Sequence, residues 1–322
     1  MDQTVLGIDV SKKKFDIALL ISGKIKNKGF TNSKEGFKSL LEWLVRHNVH
    51  KVHACLEATG TYGEGLAEFL YEAGHTVSIV NPARIRGFAQ SELIRTKNDR
   101  VDAGLIARFC EAMRPAPWTP AAPEIKRLQA LVRRMDALVG MRTQELNRLD
   151  IANFAVGKSI RDHIAYLDQE IAKVKELMRE GINKDPDLRK KRDLLVTIPG
   201  IGETTVSIVL AELNAFRTFD TIQQVVAFVG LVPKEKESGS SVKGRPRICK
   251  IGSARVRTAL YMPALVAIRH NPVILAFHAR LKAKGKNGKV IVCAIMKKLL
   301  HIMFGILKNN KPFIPDFPAV TP

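Results

Sequence analysis

Cysteine is scarce in this sequence. The four present, Cys55, Cys110, Cys249 and Cys293, lie far apart, and none stands in a Cys-X-X-Cys pair. This excludes a disulfide framework and a clustered-thiolate zinc site, and it fits reduced thiols in a cytoplasmic protein. Long hydrophobic runs are lacking as well. No apolar run approaches the ~18–20 residues that a membrane span needs. The opening MDQTVLGIDVSKKKFD has an acid at position 2 and no basic stretch before its first apolar run, so it does not read as a signal peptide. The expectation is a cytoplasmic protein with no membrane partner.

Acidic residues are the third shortage. Only 31 Asp and Glu stand against 52 Lys and Arg, a formal net charge of +21. From Thr221 to Pro322 just three acids (Glu235, Glu237 and Asp316) face 18 basic residues, so +15 of the excess sits in the last third. A polyanion is the natural partner for such a surface, and nucleic acid is the commonest. A membrane surface fits less well, because the bases are not gathered on one amphipathic helix beside a bulky apolar face. What is abundant is apolar: 46% of the 322 residues are hydrophobic. That supports real cores, excludes disorder throughout, and at ~100–200 residues per domain suggests two domains with a connecting element.

Residues 4–30 read as three strands, TVLGIDV, KFDIALLI and KIKNKGF, the last two joined by a turn at Ser22-Gly23. Ser33 then caps a helix carrying Phe37, Leu40, Leu41, Leu44 and Val45. Residues 52–57 form a further strand. A helix with Leu66, Phe69 and Leu70 follows and ends at Gly74; a fifth strand, Thr76–Val80, stops at Asn81-Pro82; a helix from about Lys97 to Met113 comes last. Strands followed by alternating helix and strand imply a mixed α/β sheet layered with helices.

Prolines at 115, 117, 120 and 123 mark a boundary. Beyond it Leu128, Val132, Met135, Val139, Arg142, Leu146 and Leu149 recur at heptad spacing, as do Ile160, Ile164, Leu167, Ile171, Val174 and Met178. A plain intramolecular hairpin and a coiled coil that also pairs subunits both fit these seams. The third part begins near Asp185-Pro186. There IPGIG joins two apolar helices in a helix-hairpin-helix pattern, in which Gly200 and Gly202 would let the backbone approach a phosphate at a helix N-terminus. The expected division is 1–116, an α/β domain; 117–184, a helical hairpin or coiled coil; and 185–322, a basic, mostly α domain.

Two constellations carry chemistry. Asp9 interrupts one apolar strand, Glu57 ends another, and Asp99 and Asp102 share one face at the start of a helix. Carboxylates in such places are costly unless solvated, paired or metal-bound. Together they suit Mg2+, which takes oxygen ligands and leaves positions for phosphate oxygens. Each alone has an ordinary explanation: Asp99 as a helix cap, for instance, and Asp16 on the second strand shows that an acid can sit there without a role. The other constellation is the loop Glu237-Ser238-Gly239-Ser240-Ser241-Val242-Lys243-Gly244-Arg245, followed by Arg247, Lys250, Arg255 and Arg257. A serine oxygen can attack phosphorus when it is activated and surrounded by positive charge. By composition alone such a loop is a flexible linker.

The sequence resembles the DEDD transposases, the insertion-sequence family that includes Piv-type DNA invertases and RNA-guided bridge recombinases. The resemblance rests on LGIDVSKKKFDI, CLEATGTY, NPARIRGFAQSELIRTKNDRVDAGLIARFC, TQELNR, IPGIG and FVGLVPKEKESGSSVKGRPRICKIGSARVRTALYMPAL. It implies a RuvC-like ribonuclease-H domain whose catalytic, Mg2+-binding acids are Asp9, Glu57, Asp99 and Asp102. It also implies a serine nucleophile at Ser238, with Ser240 and Ser241 as weaker candidates. Gly200, Gly202, Lys243, Arg245, Arg247, Lys250, Arg255 and Arg257 are the expected nucleic-acid contacts. The implied partners are donor and target DNA, a structured guide (bridge) RNA, and further copies of the chain in a dimer or tetramer. The same acids with water as nucleophile would make a metal-dependent Holliday-junction or other structure-specific endonuclease, with no need of Ser238. A non-catalytic architectural protein would use only the hairpin motif and the basic tail.

Overall fold

The computed structural model describes residues 4–58, 60–93, 99–234, 237–238, 242–243 and 247–315. The chain divides into two compact units, residues 1–120 and 121–322.

The first unit is built on strands β1 (Val5–Val10), β2 (Lys14–Ile21) and β3 (Lys24–Thr31), helix α1 (Lys34–Arg46), β4 (His53–Glu57), α2 (Glu64–Glu72), β5 (Thr76–Val80), α3 (Pro82–Ser91) and α4 (Asp99–Met113). The sheet order is β3-β2-β1-β4-β5. The first three strands pair antiparallel, while β1, β4 and β5 run parallel. This is the mixed α/β sheet expected of the N-terminal part.

Alternation sorts the side chains. Leu6, Ile8, Phe15, Ile17 and Leu19 face α1 and α2 in one apolar cluster. Val5, Ala18, Leu20 and Cys55 face α4, whose Ala103, Ile106, Ala107, Phe109 and Cys110 cover them. Each such Leu, Ile or Phe contributes about 1.5–3 kcal/mol relative to exposure. Helix α3 is an addition to the sequence reading, which took Asn81-Pro82 only as a strand stop. Pro82 occupies the first turn, where its missing N–H has no intrahelical partner to lose, and the Asn81 side chain accepts from the Ala83 N–H at 2.8 Å. After α4 the chain is strapped along β5. Ser78 Oγ donates to the Ala116 carbonyl at 2.8 Å, and Trp118 N–H donates to the Val77 carbonyl at 2.7 Å.

The second unit contains α5 (Pro123–Leu149), α6 (Phe154–Lys184), α7 (Pro186–Leu195), α8 (Glu203–Glu212), α9 (Ile222–Val229), the two-residue strands β6 (Pro233–Lys234), β7 (Glu237–Ser238), β8 (Val242–Lys243) and β9 (Arg247–Ile248), then α10 (Ala254–His270), α11 (Pro272–Ala283) and α12 (Gly288–Asn309). Helices α5 and α6 pack as an antiparallel hairpin, tied across by the pairs Arg142–Asp168 and His163–Glu145. Ile125, Leu128, Val132 and Met135 are buried as the heptad reading expects, but further along Leu138 and Glu145 are buried while Val139 and Leu146 are exposed. A helix of 3.6 residues per turn drifts off a strict seven-residue seam. The hairpin shares one continuous apolar core with α7–α12.

Among the described residues one helix, α12, is long and apolar enough to cross a membrane by length and composition alone. Lys297 and Lys298 interrupt its apolar run. Its Ile295, Leu299, Leu300 and Met303 are buried in the core of the second unit.

Candidate active site

The register of the central strands brings two of the four acids together. Ile8 of β1 pairs with Leu56 of β4. The next residues, Asp9 and Glu57, therefore leave neighbouring parallel strands side by side, both on the face covered by α4 and both half-buried. Helix α4 is seated close because residue 7 is glycine. A Cβ there would strike the Ala103 carbonyl and the Ala107 amide, with the Ala107 Cα at 2.9 Å. Asp102, immediately before Ala103, is half-buried. Asp99 opens α4, and its side chain lies outside the described residues.

Asp16 of β2 pairs directly with Asp9. Its side chain is only 16% exposed and accepts a bond from Lys14 Nζ at 3.0 Å. By sequence alone Asp16 is an acid without a role. The short β1–β2 turn and the two-residue alternation were the available signal that it shares Asp9's face. Among the described residues no group of three or more His, Cys, Asp or Glu is placed to hold a metal ion.

Beneath the acids lies a buried cluster. Cys55 of β4 bonds to Cys110 of α4, and this bond together with burial pushes the Cys55 thiol far up; Cys110, which receives the bond, is drawn down, with His53 beside it. His53 Nε2 and Ser78 Oγ are 2.8 Å apart.

Ser238 lies in the second unit, on β7, which pairs with β8 through Glu237–Lys243 and Ser238–Val242. The side chains of Ser238, Lys243 and Arg247, and all of Gly239, Ser240, Ser241, Gly244 and Arg245, lie outside the described residues. Lys250 is exposed, with φ +58. Two expected phosphate contacts have internal partners instead. Arg255 pairs with Asp136 of α5 and with Glu212 of α8. Arg257 Nη1 donates to the Val229 carbonyl at 2.7 Å and to the Gly252 carbonyl at 3.2 Å. Arg255 engages Nε and Nη1, and Arg257 engages Nη1 alone, out of the five N–H donors of each guanidinium. Gly200 takes φ +98, and a Cβ on it would lie 2.9–3.0 Å from Ala267 of α10, so its bareness also serves helix packing. Gly202 is open and caps α8 without a side-chain bond.

Comparisons with known proteins agree along the chain. A DEDD transposase family model of the IS110 type matches residues 6–152, and the model described as transposase IS116/IS110/IS902 family matches residues 192–279. The pilin gene-inverting protein of Moraxella bovis is 34% identical over 316 residues, covering 97% of this chain and 98% of its own. The transposase for insertion sequence element IS1328 of Yersinia enterocolitica is 25% identical, covering 77% and 81%. Among solved structures, T. thermophilus RuvC in complex with Holliday junction substrate is 15% identical with a TM-score of 0.29, covering 36% of this chain and 99% of that one.

Proposed function

The chain belongs to the IS116/IS110/IS902 family of transposases and is a DNA-recombining enzyme, and on that premise we propose that it cuts and rejoins DNA, in the cytoplasm, through an active site of two parts. One part is the acidic end of a RuvC-like, ribonuclease-H-type sheet, with Asp9, Glu57, Asp99 and Asp102 as the catalytic, metal-holding acids. The other is Ser238 on its hairpin, as nucleophile. The relatives are named for inverting a pilin gene and for moving an insertion sequence; inversion and transposition both require strands to be cut and joined at two places.

The observation that carries the reading is the adjacency of Asp9 and Glu57 under α4. Asp16 extends the row on the other side of Asp9. Like charges directly opposite one another on a sheet are unfavourable, and a cation among them removes the penalty. All the donors are carboxylate oxygens, which suits a hard divalent ion such as Mg2+. When bound, such an ion supplies positive charge beside a phosphodiester and stabilises the oxygen that departs.

The remaining chemistry falls to the chain itself. Ser238 Oγ attacks phosphorus and releases its proton to solvent water, the P–O bond to one deoxyribose oxygen breaks, and that oxygen takes up a proton from solvent. The phosphoserine ester keeps the bond energy for rejoining. Lys243, Arg245, Arg247 and Lys250 hold the phosphate and its developing charge. The α7–α8 turn acts as a helix-hairpin-helix, presenting Gly202 and the free N–H groups of α8 to DNA. Two sites require at least two chains. The α5–α6 pair would contribute as a coiled coil between them, its tip carrying Ile151 at 88% and Phe154 at 97% exposure. A structured guide RNA would select the sequence by base pairing while the protein reads backbone and shape.

The test is a covalent trap. Wild-type protein incubated with supercoiled DNA carrying the regions that flank its gene, then denatured, should stay attached to DNA. Ser238→Ala should leave none attached while binding DNA normally. Ser240→Ala and Ser241→Ala should be milder. Free nicks without attached protein would instead establish the water-using endonuclease.

A further inference from the structure

We propose that Arg257 is a positioning residue of the recombination reaction: its guanidinium ties together the outgoing and returning stems of the hairpin that carries Ser238. This rests on the serine reading above for its catalytic meaning, but not for its geometry.

The stems are described on both sides. The chain leaves α9 through Gly230, which takes the left-handed φ of +76 at the helix end. It runs outward to β6 and comes back along β9, which pairs antiparallel with it. Gly252, at φ +140, and the capping residue Ser253 then lead into α10. Three backbone bonds cross the base: Cys249 N–H to the Val232 carbonyl at 2.9 Å, Lys250 N–H to Gly230 at 3.1 Å, and Ser253 N–H to Phe228 at 2.9 Å.

Arg257 closes this base from the first turns of α10. Nη1 donates to Val229 on the outgoing side and to Gly252 on the returning side. Val229 is the last residue of α9. Its carbonyl is among those a helix end leaves without an intrahelical partner, at the negative pole of the helix, where a cation is favoured. The approach is close enough to require glycine: a Cβ on Gly230 would stand 2.8 Å from Arg257 Nη1 and 2.9 Å from the Ile251 carbonyl. The clamp is itself anchored. Ser253 Oγ donates to Glu212 at 3.2 Å, and Arg255 pairs with Glu212 at 2.8 Å and with Asp136. Ser253 and Arg255 thus fix the α10 start to α8 and α5, and Arg257 passes that fix on to the hairpin stems. A nucleophile needs this kind of support, since misplacement by about 1 Å can cost on the order of 100-fold in rate.

The experiment compares full-length wild type, Arg257→Ala and Arg257→Lys. Amide hydrogen exchange over residues 249–253 should speed up at least about tenfold in Arg257→Ala, with the α5–α6 hairpin unchanged, because local opening is what that bond opposes. With saturating supercoiled DNA that carries the gene's flanking regions, the single-turnover rate of adduct formation should fall about 10- to 100-fold at unchanged affinity and unchanged final yield. Arg257→Lys should recover most of both, since an ammonium has three donors and can serve both carbonyls. If Arg257→Ala does not fold, Arg257→Gln takes its place in the same comparison.

Unchanged exchange over 249–253 overturns the clamp. Weakened DNA affinity with an unchanged rate at saturation overturns it in favour of a phosphate contact. Reduced yield at an unchanged rate overturns the positioning role in favour of a merely structural one. An adduct that persists in Ser238→Ala overturns the serine reading alone, and the exchange result then decides the clamp by itself.

Discussion

Gly7 lies directly beneath Ala103, where helix α4 crosses strand β1, and the two backbones meet with no room for a side chain between them. The contact stands two residues before Asp9 and one residue after Asp102. It therefore fixes the distance between the strand that carries one acid and the helix that carries another. Gly7→Ala should lower unfolding stability by about 1–3 kcal/mol through overpacking. It should also abolish DNA joining at temperatures where the protein is still folded. Gly140→Ala, a helical glycine with open space around it, should be neutral or stabilising by up to about 1 kcal/mol. Urea titration of both variants, paired with the adduct assay, checks this.

Asp9→Asn, Glu57→Gln and Asp102→Asn should each stop strand exchange without unfolding the protein. Asp9 stands between Asp16 and Glu57, so removing its charge relieves repulsion, and the metal-free melting temperature should hold or rise. Magnesium should raise the melting temperature of wild type more than that of any of the three, as ligand linkage requires. An equal magnesium shift in all four proteins would remove these acids from the metal site.

DNA affinity should fall steeply with salt. With +15 concentrated in residues 221–322, binding releases many condensed counterions, and the logarithm of affinity declines linearly with the logarithm of salt. Arg255→Gln should leave that slope nearly unchanged, because its charge is already paired with Asp136 and Glu212. Lys250→Gln, which removes an exposed cation, should reduce the slope by about one. Fluorescence anisotropy between low and moderate salt measures both.

The first unit should weaken in mild acid. His75 is buried, and burial followed by the nearby charge of Lys51 holds its imidazole below the ordinary 6.5. Its Nδ1 accepts from the Val52 N–H at 3.4 Å, which requires that nitrogen to be unprotonated. Above 6.5 both folded and unfolded chains carry the neutral ring, and the stability is fully present. As pH falls below 6.5 the unfolded chain takes up the proton first, so stability is lost progressively toward the lower folded value. The melting temperature of wild type should therefore drop more between pH 7.5 and 5.5 than that of His75→Gln.

The strands of the first unit were legible because short apolar runs bounded by turn residues have few other uses. Helix α3 was not, since Pro82 ends a strand and begins a helix with equal ease, and only the Asn81 cap distinguishes the two. The acids at 9 and 57 were visible as charges placed among apolar neighbours. That they stand side by side is a matter of register, which no single strand carries. The internal partners of Arg255 and Arg257 were not legible, because a basic run looks alike whether its members face solvent or the protein's own carbonyls and carboxylates. Ser238 was distinguishable from Ser240 and Ser241 only through the family resemblance, because composition treats the three hydroxyls as equals.

The Cys55–Cys110 contact gives the molecule a built-in clock. One thiol belongs to a strand and the other to the helix that lies on it, and both are buried. An alkylating reagent can reach them only while α4 has lifted from β4. The rate of modification at Cys55 and Cys110, read by peptide mapping apart from the half-buried Cys249 and Cys293, thus counts in the absence of denaturant how often the helix bearing Asp99 and Asp102 separates from the strand bearing Glu57. Saturating the protein with DNA and magnesium should slow that clock if the acids close around a phosphate. The enzyme would then report its own assembly through two atoms that take no part in the chemistry.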